Sequence, residues 1–235
     1  MKYDAIIFDL FGTLVDNFPS ITFERVLAEM AVCVDAPQQE FVRMWHIDTW
    51  PMRAIGQFPT VEANVAYICR ALGVRTEDEQ LKSAAQLRFE FTRHALVPRH
   101  DTVETVASLK AMGYKTGLVS DCSGEVPLLW QDLSLAPLID VPIFSCSVGL
   151  KKPDPRIFLL ACERLDVSPQ RCFYIGDGGS WELSAATKLG MHAVLINAPH
   201  EEPNNKDRQE AAEWRGHRVL TIKEILAMVD DDAGT

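Results

Sequence analysis

The chain has 235 residues, 47% of them hydrophobic, and its 23 basic and 33 acidic side chains give a formal charge of −10. That length suits one large domain or a core carrying an insert. The acidic balance gives no support for nucleic-acid binding, which requires a basic face, and no apolar run approaches the ~20 residues of a membrane span.

Residues 3–8 (YDAIIF) predict a short buried strand ending at Asp9, and Gly12-Thr13 breaks the run. From Ser20 to about Ala95 the rhythm is helical. Thr60 is placed to cap a helix to Leu72, with Gly73 as its stop, and Thr76-x-x-Glu79 reads as a capping box before Leu81, Ala84, Leu87 and Phe91. After Pro98, helices and strands alternate. Asp101-x-x-Glu104 starts a helix that ends at Gly113. Strands are expected over 115–120, 141–145, 172–176 and 192–196, and helices over 155–165 and 181–189. Residues 197–216 read as a polar surface loop with some helix, and 218–220 as an edge strand. Thr221-x-x-Glu224 caps a last helix through Val229, and 231–235 read as a frayed tail. Short apolar strands separated by helices predict an α/β fold with a parallel sheet covered on both faces.

In such sheets ligands bind beyond the carboxyl ends of the strands. Those ends carry Asp9; Ser120 and Asp121; Lys151 and Lys152 after a short connection; and Asp177 in GDGGSWE, with Glu182 five residues later. Together they supply carboxylates, a hydroxyl and an ammonium. Asp9 can act as a covalent nucleophile. Asp9 and Asp177 offer hard oxygen ligands suited to Mg²⁺, which offsets the charge of a carboxylate approaching a phosphate. Lys152 can neutralise a phosphoryl oxygen, and Ser120 and backbone N–H groups can donate to the others. Taken singly, each residue reads as an ordinary turn, cap or surface group; the ordered set is what points to a site. The six cysteines form no C-x-x-C pair and are expected as reduced thiols. No small-residue cleavage site follows the first apolar stretch, so a cytoplasmic location is expected.

DLFGT, GLVS, KKPDP and GDGGSWE, in that order, resemble the four motifs of the haloacid dehalogenase superfamily. The resemblance implies a Rossmann-like core of residues 1–17 and 96–235 and an inserted α-helical cap of 18–95. It further implies Asp9 as nucleophile, Lys152 as charge clamp (with Lys151 open as a substitute), and phosphate contacts from Ser120, Asp121, Gly12 and Thr13. Mg²⁺ would lie between Asp9, the Phe11 backbone carbonyl and Asp177. Glu182 would bind that metal or order its waters. The expected partner is a small phosphorylated substrate, with no nucleic acid and no membrane, and the chain as a monomer or homodimer.

One position departs from the pattern. Where the superfamily usually carries a second aspartate as general acid, this chain has Phe11. A positioned acid is worth ~10²–10⁴ in rate. Its replacement favours a leaving group that needs little protonation, or another chemistry at Asp9: a 2-haloacid dehalogenase-like or phosphonate-hydrolase reaction, or a non-catalytic binding or regulatory role. The retained Asp177 favours metal and phosphoryl chemistry. Within 41–56 (FVRMWHIDTWPMRAIG), Arg43 or Arg53 could bind a substrate anion.

Overall fold

The computed structural model describes residues 2–199, 208 and 210–231. Strand β1 (Ala5–Phe8) is buried throughout. Five helices follow: α1 (Ser20–Cys33), α2 (Gln38–Arg43), α3 (Trp50–Arg53), α4 (Val61–Ala71) and α5 (Asp78–Ala95), with a π-helical turn over Met44–Asp48. Helix α6 (Thr102–Ala111) leads into β2 (Lys115–Ser120), α7 (Glu125–Trp130), β3 (Val141–Phe144), α8 (Ser145–Val148) and α9 (Pro155–Leu165). The chain continues through β4 (Cys172–Gly176), α10 (Glu182–Lys188), β5 (His192–Ile196), β6 (His217–Val219) and α11 (Glu224–Asp231).

The described strands form one parallel sheet in the order β3-β2-β1-β4-β5-β6. This is an α/β, Rossmann-like architecture. Successive side chains alternate between its faces. Ile6, Phe8, Leu118, Phe173 and Ile175 belong to one buried cluster; Ala5, Ile7, Val119, Tyr174 and Leu195 belong to the other. Both faces are covered, so the strands read as continuous apolar runs. The strand order reverses between β1 and β4. Connections leave these neighbours in opposite directions and open a crevice at their carboxyl ends. Phe8 is in register with Leu118 and Ile175, and the Asp9 amide donates to the Ile175 carbonyl, so Asp9 emerges at that crevice.

Helices α1, α2, α4 and α5, with the π-helical turn, surround a third buried cluster that includes Leu27, Met30, Phe41, Trp45, Val65 and Ile68. A helical insert between β1 and β2 therefore has its own core. No helix among the described residues is long and apolar enough to cross a membrane, and all six cysteines are free.

The structure corrects several element boundaries. The first strand starts at Ala5 rather than Tyr3, and the third ends at Phe144, with Ser145 opening α8. The capping box is Glu77 with Gln80, one residue later than the Thr76 pattern. Asp101 precedes α6 but has φ +62° and makes no side-chain cap; its carboxylate meets His100 instead. Helix α10 starts at Glu182, because Ser180 and Trp181 have left-handed backbones. Strand β6 lies one residue earlier than the 218–220 pattern, and α11 begins at Glu224, whose carboxylate accepts from the Leu220 and Thr221 amides. Much of the 197–216 loop and residues 232–235 of the tail lie outside the described residues.

Candidate active site

Asp9 follows β1, Asp177 follows β4, Glu182 opens α10, and Lys152 comes from the loop before α9. All four are buried. The Lys152 Nζ donates to Asp9 Oδ1 at 2.5 Å and to Glu182 Oε2 at 2.6 Å. It is therefore Lys152, and not the half-buried Lys151, whose ammonium reaches Asp9. The other Asp9 oxygen accepts from Thr13 Oγ1 at 3.3 Å. Asp177 accepts from the Gly179 amide at 2.9 Å and from Asn17 Nδ2 at 3.0 Å, and Arg208 Nε lies 3.4 Å from its Oδ2.

Glu182 accepts from Lys152, from the Tyr174 hydroxyl at 2.8 Å and from the Gly178 amide at 3.1 Å. The Tyr174 and Gly178 donors hold it against Lys152, an arrangement that positions the ammonium. Two glycines make room for these carboxylates. A Cβ on Gly12, which has φ +76°, would stand 2.2 Å from Asp177 Oδ2; one on Gly176 would stand 2.2 Å from Glu182 Oε1. Any larger residue at either position would displace a carboxylate.

Ligand oxygens of Asp9, Asp177 and Glu182 lie within 4.8 Å of one another. Three buried carboxylates thus face two cations, Lys152 and Arg208, leaving a deficit of one positive charge. Burial raises the Asp9 pKa to about 6, with Lys152 opposing and Asp177 adding. Burial likewise raises Glu182 to about 8, again against Lys152 and with Asp9 adding. Burial alone would lower the Lys152 pKa, but Asp9 and Glu182 hold it well above the usual range. The carboxylate cluster could therefore hold a metal ion, which would fill the deficit that a proton otherwise fills.

This charge deficit gives a first prediction. Unfolded carboxyls titrate near ~4. Between that pH and about 8 the folded metal-free protein binds more protons than the unfolded chain, so its stability falls as pH rises through the window. In chelator, the melting temperature is expected to drop between about pH 6 and about pH 8.5, and a divalent cation bound by the cluster to raise it more at the higher pH. A metal-free melting temperature that rises with pH over this range would contradict the arrangement.

A cavity of about 440 Å³ opens on these residues. Asp9, Asp121, Lys152 and Asp177 line it from the sheet side, and Phe18, Trp50, Arg53 and Arg88 from the helical insert. Asp121 Oδ1 accepts from the Lys152 amide at 2.9 Å, which fixes the lysine-bearing loop. Ser120 is fully buried, and its hydroxyl has no hydrogen-bond partner.

Phe11 also lines the cavity. Its ring packs 4.7 Å from Phe18, which stands 5.2 Å from Phe23 and 5.1 Å from Phe91. The site beside Asp9 therefore has an aromatic wall where a second carboxylate would otherwise stand. Arg43 is not in the cavity lining; it pairs with Asp48 at 3.0 Å on the surface. Arg53 is in the lining and is only 7% exposed.

Sequence reading missed Asn17, Tyr174, Arg88, Glu125 and Arg208. Arg88 had one available signal: it shares a helical stripe with Ala84, Ala85 and Thr92, all buried. An arginine on a buried stripe demands a partner. Its Nη2 lies 2.7 Å from Glu125 Oε1, both side chains being almost wholly buried. Glu125→Ala strands that guanidinium and is expected to cost ~3–5 kcal/mol, seen as a lower urea midpoint. An unchanged midpoint would show that the pair does not secure the insert to α7.

The sequence matches the haloacid dehalogenase-like hydrolases over residues 3–190, and the chain belongs to that family. It is 31% identical over 147 residues to a glyceraldehyde 3-phosphate phosphatase of Methanopyrus kandleri, covering 60% of this chain and 62% of that relative. It is 25% identical over 233 residues to (S)-2-haloacid dehalogenase 1 of a Pseudomonas species, covering 94% of each. Among solved structures, a haloacid dehalogenase-type phosphatase from Thermococcus onnurineus gives a TM-score of 0.64 at 24% identity over 96% of this chain and 97% of that one. A 2-haloacid dehalogenase from Pseudomonas syringae gives 0.66 at 18% identity over 97% and 99%. These structural likenesses speak for the fold.

Proposed function

We propose that the protein is a Mg²⁺-dependent hydrolase of a small phosphorylated metabolite, acting through an aspartyl-phosphate at Asp9 and favouring leaving groups that need no proton. The observation that carries this reading is the buried cluster of Asp9, Asp177 and Glu182 beside the cavity, with the Lys152 ammonium between Asp9 and Glu182. A displacement at carbon would need Asp9 and a cation beside it; it would not need the third negative charge. In this reading residues 18–95 act as a cap over a core of 1–17 and 96–235. Asp9, Asp177 and the Phe11 backbone carbonyl would hold Mg²⁺, which when bound offsets the charge of the nucleophile and the phosphoryl oxygens.

An Asp9 carboxylate oxygen attacks phosphorus while the bond from phosphorus to the leaving oxygen breaks, its electron pair departing with the leaving group. Lys152 neutralises charge on the transferring group, held in place by Glu182 and the Asp121–Lys152 backbone contact. Ser120 and the backbone around Gly12, Thr13 and Asp121 serve the remaining phosphoryl oxygens. Water then attacks phosphorus, the bond to Asp9 breaks, and phosphate leaves. Phe11 supplies no proton to the departing group. An acyl phosphate, whose leaving carboxylate is stable as an anion, therefore fits better than an alcohol phosphate.

Borohydride quenching during turnover of acetyl phosphate tests the intermediate. Peptide mass is expected to show Asp9 reduced to homoserine; turnover that leaves Asp9 unreduced would contradict an aspartyl-phosphate. A second reading, displacement of halide from a 2-haloacid, is supported by the aromatic wall at Phe11 and by the dehalogenase relative that aligns over 94% of the chain.

A further inference from the structure

The helical side of the cavity carries more positive charge than it can neutralise. Arg88 spends Nε and Nη2 on Glu125 Oε1, at 2.8 and 2.7 Å. Its Nη1 is buried without a hydrogen-bond partner. Arg53 uses Nη1 for the Trp45 carbonyl and Thr49 Oγ1, at 2.8 and 2.7 Å. Its Nε is likewise buried and unpartnered, and among the described residues no carboxylate forms an ion pair with it. The two guanidinium carbons lie 4.3 and 5.9 Å from the same Trp45 ring centroid. Two guanidiniums and the single carboxylate of Glu125 leave one net positive charge in an aromatic setting. Burial and the neighbouring Arg88 draw the Arg53 pKa down to about 9, with Glu125 opposing, and it remains a cation at neutral pH. A buried, unpaired guanidinium beside a cavity is stabilised by an incoming anion.

We propose that Arg53, with Arg88 beside it, is a subsite for a carboxylate on the substrate, making the substrate class a small carboxylic acid that also carries an activated phosphoryl group. This inference rests on the phosphohydrolase reading above. The guanidinium carbon of Arg53 lies 4.3 Å from the Trp45 ring centroid and its Nη1 is fixed by two hydrogen bonds, so the group is positioned before the ligand arrives. Its placement on the insert, while Asp9 stands on the sheet, lets one substrate engage both walls of the cavity. Trp50, 5.6 Å from the same guanidinium, helps exclude water there.

Two matched pairs of probes test it. Succinyl phosphate and butyryl phosphate have the same chain length and differ in a terminal carboxylate. The expected kcat/KM ratio is ~10–100 in favour of succinyl phosphate, as suits one charge-assisted contact. In Arg53→Met the ratio is expected to fall close to one, and in Arg53→Lys to lie between. Binding is read separately by calorimetry with phosphonoacetate and ethylphosphonate, whose P–C bond replaces the P–O bond that the proposed reaction breaks; the same preference is expected and should vanish in Arg53→Met. If Arg53→Met does not fold, the Arg53→Lys ratio decides: an intermediate ratio supports the subsite and an unchanged one overturns it. Equal turnover and equal binding of the paired probes by the parent protein would overturn the subsite while leaving the phosphohydrolase reading standing. No turnover of either phosphate, together with tight phosphonoacetate binding lost in Arg53→Met, would overturn the reaction and keep the subsite.

Discussion

Asp9→Asn is expected to lower turnover of an acyl phosphate by ~10⁴-fold or more. The carboxamide keeps the size of Asp9 and its hydrogen bond from Thr13, but it is not nucleophilic, and it weakens both the Lys152 contact and the proposed metal site. The fold should survive. Burial is the main penalty on the Asp9 charge, and a neutral side chain escapes that penalty and the repulsion from Asp177, against the lost attraction to Lys152, which keeps Glu182 as a partner. Loss of turnover with an unchanged or raised metal-free melting temperature is therefore the expected pair of results, measured by phosphate release and thermal unfolding. Parent-level turnover in Asp9→Asn would remove the nucleophile from the mechanism.

The second large effect is a gain. Phe11→Asp is expected to raise hydrolysis of unactivated alcohol phosphates by ~10²–10⁴, while changing acyl phosphate hydrolysis little. The new carboxyl would stand beside a cavity that already holds Asp9, Lys152 and Asp177, where a raised pKa would suit a general acid. There is a structural cost. Phe11 is half-buried and packs on Phe18, which continues through Phe23 and Phe91 into the insert, so ~1–3 kcal/mol of stability should be lost. Phosphate release across a panel of sugar and alcohol phosphates, measured beside the parent, checks the gain. No gain in a folded variant would mean that Phe11 is not the element that restricts the leaving group.

The parts of the fold that were legible in sequence are those governed by local rules. The runs over 115–120, 172–176 and 192–196 match β2, β4 and β5, and 155–165 matches α9. Each is a buried apolar pattern with clear punctuation. The capping box was misplaced because Thr76-x-x-Glu79 and Glu77-x-x-Gln80 overlap, and the register in which Ala84, Ala85 and Arg88 face inward selects the second. Arg43 and Arg53 could not be separated in sequence, since the π-helical turn at Met44–Asp48 and Pro51 shift the helical phase between them. Arg88 with Glu125, and Arg208 with Asp177, were out of reach for another reason. Each joins segments far apart in sequence, and only the packing of the insert on α7 and the strand order bring them together. Lys152 was legible beside its Pro153, yet only the structure shows its ammonium between Asp9 and Glu182.

Parallel release assays with acetyl phosphate and 2-chloropropionate, each with Mg²⁺ and with chelator, test the central claim most directly. Phosphate release that needs Mg²⁺ and stops in chelator, with no chloride released, is the expected result. Chloride release from 2-chloropropionate in chelator, with acetyl phosphate untouched, would contradict it and would assign Asp9 to attack at carbon.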